Sequence, residues 1–403
     1  VHIRAAALAL LPGGAARQAV APDAILGRTT EERLEMRILI IGGTGLISTA
    51  ITRQLLDRGD DVTLFNRGKT ESRIPEGARM LLGDRTKYAA FEAQMAEEAK
   101  FDCVIDMVGF VPKDARSLVR AFKGRVGHLI FCSTVCVYGG PASRYPITED
   151  EPRTPTGPYG VRKTKCEDIL LQAGRSGDFP VTIMRPSQTY GEGGTIVHSL
   201  GGGTAYLDRI RKGKPIVVHG DGSCLWAACH VDDVARGFVG AACNEKAFGN
   251  RYNLTGEEWM TWNGYHEGVA KALHAPAPRL VHIPTDLLAR FAPRHAGISI
   301  GIFQYPSIFD NSRAMEDLGF RYTIPWVEGV RRTVAWLDSR NLIANSDDDP
   351  FDDAVIAAWQ RASARLEKRL SPLDAPRPAK RAKTSRRHKA SRHDSRSGAH
   401  KRS

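Results

Sequence analysis

Met36-Arg37-Ile38-Leu39-Ile40-Ile41-Gly42-Gly43-Thr44-Gly45-Leu46-Ile47-Ser48 decides the fold of this chain. Ile38 to Ile41 form an unbroken apolar run, the pattern of a strand covered on both faces. Glycines follow, at the point where the backbone must turn tightly and let a ligand approach closely. A helix then runs from about Leu46 to Asp57 and aims its free N–H groups and positive dipole end at whatever lies over the turn. Such a site favours a pyrophosphate. A second strand, Val62 to Phe65, comes next in the order expected of a dinucleotide-binding unit, with a ribose-reading residue due about 20 positions after the turn.

Outward from this stretch, residues 36–185 alternate strand and helix. The strands expected are 37–41, 61–66, 79–82, 102–107, 127–132 and 180–184, and the helices lie near 46–58, 86–99, 112–123 and 157–175. With right-handed crossovers this pattern predicts an α/β fold: a doubly wound parallel sheet of the Rossmann type, its ligand at the C-terminal strand ends. Beyond Pro186 the character changes. A glycine-heavy stretch leads into a helix near 204–212 and less regular elements, which read as a smaller α/β substrate lobe over 186–345, with some segments returning to the first domain. An acidic stretch and a helix at about 354–370 occupy 346–375, with acids placed to complement the helix dipole rather than to bind metal.

Charge is distributed unevenly. The basic tail 376–403 supplies +10 of the net +12 and has too little apolar content to fold alone, whereas the N-terminal extension 1–35 sums to zero and reads as disordered, with Met36 as the working start. No run approaches the ~18 apolar residues that cross a bilayer, so no membrane role is expected. Seven scattered cysteines without paired metal spacing suit a reducing, cytoplasmic setting as packing residues.

Tyr159 and Lys163 stand four apart in Pro158-Tyr159-Gly160-Val161-Arg162-Lys163, with Thr156 as N-cap, and so share one helix face. An ammonium near a phenol favours the phenolate, and a tyrosine so tuned can exchange a proton with a substrate hydroxyl or carbonyl. Earlier stands Phe131-Cys132-Ser133-Thr134-Val135-Cys136-Val137-Tyr138-Gly139, a strand ending in hydroxyl residues.

These pieces, with Gly83-Asp84, Arg185-Pro186, Tyr190-Gly191 and His230-Val231-Asp232-Asp233-Val234-Ala235, resemble the NAD(P)-dependent epimerase/dehydratase family, the extended and atypical short-chain dehydrogenase/reductases, over about 36–340. The resemblance implies that Tyr159 is the acid/base, that Lys163 tunes it and holds the nicotinamide ribose, and that Thr134 is the hydroxyl partner, with Ser133 as runner-up. It places the cofactor against Gly42, Thr44, Gly45, Leu46, Ile47, Asn66, Arg67 and Asp84, the last on the adenine. It also implies a homodimer built on the Tyr159 helix.

Three departures matter. Ser48 replaces the third glycine; serine is small, and the fold should survive. Asn66 stands where NAD-preferring members carry an acid, and Arg67 follows, so an NAD(P) cofactor is expected with NADP favoured. Trp226 falls where sugar-nucleotide epimerases resembling this chain carry an arginine for the diphosphate; it stacks on a substrate ring or fills the lobe's core. His198 and His219 read as polar-loop residues, and Asp232 and Asp233 as acids at a helix start. Dehydratases resembling this chain place acids just after the Thr134 position, which Val135-Cys136 occupies in this sequence.

The function expected is hydride transfer at a hydroxyl- or carbonyl-bearing carbon of a sugar-like or other small molecule. The alternative is RNA binding, because plastid stem-loop RNA-binding proteins resemble this chain and the tail can contact phosphates without sequence preference. The tail lacks aromatic residues for stacking on bases.

Overall fold

The structure is a computed structural model that describes residues 35–69 and 76–374; the expectations for the basic tail and for residues 1–34 lie outside the described residues. Seven strands form one parallel sheet. Six come from the first half of the chain: β1 (Arg37–Ile41), β2 (Asp61–Asn66), β3 (Arg79–Leu82), β4 (Phe101–Asp106), β5 (Val126–Cys132) and β6 (Val181–Pro186). The order is β3-β2-β1-β4-β5-β6, and the strand Arg251–Leu254 returns from the second half to pair with β6 at the edge. Strand order reverses between β1 and β4, where Ile41 sits beside Asp106, and a crevice opens beyond their C-terminal ends.

Alternate residues of each strand feed opposite faces of the sheet, as period-2 geometry requires. Ile38 and Ile40 pack with α1 (Leu46–Asp57) and the helix Val231–Ala241 on one side. Leu39 and Ile41 pack with α2 (Tyr88–Glu97), α3 (Pro112–Phe122) and α4 (Pro158–Arg175) on the other. Both faces are therefore covered, which is why the central strands read as continuous apolar runs.

A second core, rich in aromatic side chains, belongs to the C-terminal lobe: Tyr190, Trp226, Trp262, Tyr265, Phe303 and Trp326 are all nearly inaccessible. The lobe's last helix extends over Phe351–Asp374, longer at both ends than expected, and Phe351, Val355, Ile356 and Trp359 seat its first turns on the lobe. Asp353 there pairs with Arg209 at 2.7 Å, so the acidic stretch is tied to lobe cations. Among the described residues no helix is long and apolar enough to cross a membrane.

Candidate active site

The turn after β1 is built as its residues demand. Gly42 has φ +87°, and a Cβ there would collide with Val108 on the neighbouring β4 loop. Ser48, where a third glycine was expected, is buried and useful: its hydroxyl accepts from the Gly45 N–H at 2.8 Å and donates to the Gly42 carbonyl at 2.8 Å. The serine thus closes the turn from within, and α1 starts at Leu46 directly above it.

From this turn a cleft of about 530 Å³ runs toward the end of β2, lined by Thr44, Gly45, Asn66, Arg67, Lys69 and Asp84 among others. The side-chain amide oxygen of Asn66 accepts from the Gly68 N–H at 2.8 Å and fixes the loop that presents Arg67. Arg67 and Lys69 are exposed, while Arg85 is buried beneath them with its Nη2 donating to the Asp114 carbonyl and its Nε and Nη1 without a hydrogen-bond partner. Asp84 accepts from the Thr86 hydroxyl and N–H, and these bonds hold its carboxyl below the usual carboxylate range. Sequence reading missed Arg85. Its signal was position, directly after the Gly83-Asp84 turn.

A second hollow of about 380 Å³ continues past α1, lined by Gly45, Leu46, Ile47, Thr134, Tyr159 and Lys163 among others. Three separate elements meet in it: the turn after β1, the end of β5, and the first turns of α4. Lys163 is buried and donates to the Cys132 carbonyl at 2.6 Å, with its ammonium 4.7 Å from the Phe131 ring centroid and 5.9 Å from that of Tyr159. Thr134 caps a short 3-10 turn, accepting from the Cys136 N–H at 3.2 Å, and its hydroxyl also faces the Tyr159 phenol. Ser133 also lines the hollow, but it is buried and its hydroxyl donates to Glu167 at 2.6 Å. Of the two hydroxyl candidates, Thr134 is the one beside Tyr159.

The surroundings of the phenol act on it in opposite directions. Although 40% of Tyr159 is exposed, its hydroxyl end is turned inward, and burial pushes its pKa well above the ordinary value; Cys132 and Cys136 add to the rise, and Thr134 opposes it. Lys163 spends its shortest contact on the Cys132 carbonyl. The N-cap of α4 differs from expectation: Gly157 takes that position, and Thr156 instead donates to the Gly301 carbonyl at 3.2 Å across to the lobe.

Trp226 does not present a ring to this site. It is 4% exposed and packs 5.1 Å from Trp262 and 4.8 Å from Phe303, centroid to centroid, so of the two roles left open by sequence it fills the core. His198 and His219 are not polar-loop residues either. His198 stacks on Tyr206 at 4.9 Å, and His219 is buried between Ser199 and the Phe303 carbonyl. Both sit in the lobe's aromatic packing, with burial lowering the pKa of each.

Asp232 and Asp233 behave as helix-start acids with structural work to do. Asp232 binds Arg53 of α1 at 2.5 Å and Arg332 at 2.7 Å, and Asp233 accepts from the Thr323 and Ile324 N–H groups. Glu192, His230 and Asp232 stand close enough together to ligate a metal ion. Arg332 also binds Glu192 at 2.8 Å, so this group is an ion-pair knot tying the lobe to α1. Sequence reading passed over Glu192 and Arg332, which are far apart in the chain and share no motif.

Comparisons with known proteins bear on the family and the fold. Residues 38–255 match the model of the NAD dependent epimerase/dehydratase family. A 2'-dehydrokanamycin reductase of Streptomyces kanamyceticus is 29% identical over 241 residues, covering 60% of this chain and 68% of that protein. A chloroplast stem-loop binding protein of 41 kDa from Arabidopsis thaliana is also 29% identical, over 62% of this chain and 66% of its own length. Matches to these curated relatives thus span about two thirds of their length. The fold is also that of the UDP-glucose 4-epimerase of Thermotoga maritima solved with UDP-glucose (TM-score 0.62, 21% identity, 76% of this chain and 100% of that one). The same enzyme from Bifidobacterium longum, solved with NAD+ and UDP, gives a TM-score of 0.60 at 24% identity over 77% of this chain and 99% of its own. With its matched segment running from β1 through the strand Arg251–Leu254, this chain belongs to the NAD dependent epimerase/dehydratase family of enzymes.

Proposed function

We propose that this protein is an NAD(P)-dependent oxidoreductase or epimerase that transfers hydride at a hydroxyl- or carbonyl-bearing carbon of a small molecule. One observation carries the reading. Thr134, Tyr159 and Lys163, from two distant stretches of chain, line the same hollow as the glycine turn that opens α1. When bound, the dinucleotide supplies or accepts the hydride.

The chain's own residues do the rest. Backbone N–H groups at the start of α1 receive the diphosphate. Lys163, buried at the inner end, offers its ammonium to a ribose hydroxyl. Tyr159 holds its proton at the phenolic oxygen and delivers it to a substrate carbonyl oxygen, or takes it back from a hydroxyl, while Thr134 orients that oxygen. A phenol kept neutral by burial can deliver its proton in the reductive direction and recover it in the oxidative one.

The cofactor favoured is NADP. Supporting this, Arg67 and Lys69 line the far end of the cleft beside a neutral Asn66, where a 2′-phosphate would find cations and no acid at the C-terminal end of β2. Self-association through α4 belongs to the same reading.

A second reading, RNA binding, has the Arabidopsis relative's name and the basic sequence 376–403 in its favour. It leaves the convergence of Thr134, Tyr159 and Lys163 without a purpose. Tyr159→Phe separates the two: turnover should fall on the order of 10²–10⁴-fold, with dinucleotide affinity unchanged. Retained turnover would contradict the assignment of Tyr159, and RNA retention lost with residues 376–403, in a protein that binds no dinucleotide, would favour the second reading.

A further inference from the structure

Tyr159 stands between two hollows. One is the cofactor side, shared with Thr134 and Lys163. The other is a separate cavity of about 290 Å³ on the opposite side of the first turn of α4, closed by the lobe segment 297–309. Resting on the hydride-transfer reading, we propose that this cavity holds the non-reacting part of the substrate, and that the substrate is an uncharged cyclic alcohol or ketone with an apolar face and not a phosphorylated or nucleotide-linked sugar.

The lining carries the proposal. Val135, Ile147, Ile298, Ile302, Tyr305 and Phe309 supply its large apolar side chains, and no Asp, Glu, Lys, Arg or His is among the residues lining the cavity. Hydroxyls of Tyr159, Tyr305 and Ser307 supply neutral polar contacts, enough to orient an alcohol or carbonyl and too few to replace the hydration of a phosphate.

Three arginines, Arg185, Arg153 and Arg313, are engaged by acids. Arg185 lies behind the Tyr138 wall and donates to both Glu167 oxygens, at 3.0 and 2.7 Å, and to the Tyr138 hydroxyl at 2.8 Å. Arg153 binds Glu167 and Asp168, and Arg313 binds Asp150 at 3.4 Å. None of the three lines the cavity.

The wall is also fixed in place. Ser307 N–H donates to the Leu225 carbonyl at 2.9 Å, Ala227 N–H to the Ser307 carbonyl at 3.2 Å, and Ile147 N–H to the Ile308 carbonyl at 2.9 Å. These bonds stitch segment 297–309 to the strand bearing Trp226 on one side and to Ile147 on the other. The stitching that closes the cavity therefore also buries the tryptophan standing where the family resemblance places a diphosphate-binding arginine. Volume points the same way, since 290 Å³ lies at the small end of ligand pockets (roughly 300–1,000 Å³).

The test uses the full chain loaded with NADPH or NADH. Binding of 1-tetralone, 2-methylcyclohexanone, glucose 6-phosphate and UDP-glucose is measured by calorimetry, turnover by nicotinamide absorbance, and dinucleotide affinity separately by fluorescence. The proposal expects the neutral ketones to bind. It expects Ile302→Lys, and independently Tyr305→Ala, to weaken them by roughly tenfold or more with dinucleotide affinity unchanged. It is overturned if UDP-glucose or glucose 6-phosphate binds more tightly than the ketones, or if the loaded protein binds no neutral ketone. Ketone binding without any turnover would sustain the substrate class and defeat the hydride-transfer reading, so the two failures read differently.

Discussion

The hollows on either side of Tyr159 are built from opposite materials. The cofactor cleft is made of backbone amides, a glycine turn with a positive φ, and the side chains Arg67, Lys69 and Asp84. The cavity behind Tyr159 is lined by Val, Ile, Tyr and Phe side chains among glycines, with no charged residue. Tyr159 lines both hollows, and burial raises the pKa of its phenol above the ordinary value.

Substitutions on the two sides should therefore separate. The largest effect is expected at Gly42: Gly42→Val forces a side chain into Val108 at φ +87°, costs about 1 kcal/mol or more of stability, and should abolish dinucleotide binding in whatever protein still folds. A thermal melt and a dinucleotide titration check both halves. Next, Arg67→Ala should lower the preference for NADPH over NADH by about tenfold, the cost of one charge-assisted contact, while leaving ketone affinity alone; steady-state KM values for the two cofactors report it. Thr134→Ala should come third. It removes the hydroxyl that faces the Tyr159 phenol, so turnover should fall severalfold with dinucleotide affinity unchanged. Turnover equal to wild type would show that Thr134 plays no part beside the phenol.

The smallest effect lies away from both hollows. Burial alone would raise Glu192, but hydrogen bonds from His230 and Arg332 outweigh it and bring its pKa down to about 2. A carboxylate depressed in the fold stabilises it fully above its unfolded pKa of about 4.3 and loses that contribution as pH falls toward 2. Acid unfolding of wild type should therefore steepen across that window, and Glu192→Gln should flatten it.

The two regions also differed in how much the sequence revealed. The sheet was legible almost residue by residue, because strands covered on both faces leave continuous apolar runs and the turn after β1 needs glycine for a steric reason. The first lobe helix was close, expected at 204–212 and found at Ala205–Arg211. What was hidden depends on contacts between distant residues. Ser133 and Thr134 are adjacent and chemically alike, and only Glu167 at 2.6 Å tells them apart. Thr156 looked like a cap because a cap is local, whereas its partner Gly301 comes from the other lobe. Trp226 offered two readings because a large aromatic ring suits a core and a binding platform equally well; Trp262 and Phe303 decide it. The apolar cavity has no motif at all, since its walls come from separated segments of the chain.

The most direct measurement is titration of the purified full chain with NADPH and NADH, each followed by quenching of intrinsic tryptophan fluorescence, for wild type and Tyr159→Phe side by side. Saturable binding, tighter for NADPH and equal in the two proteins, is the expected result. No saturable association of either dinucleotide with wild type would contradict a catalytic role for Thr134, Tyr159 and Lys163.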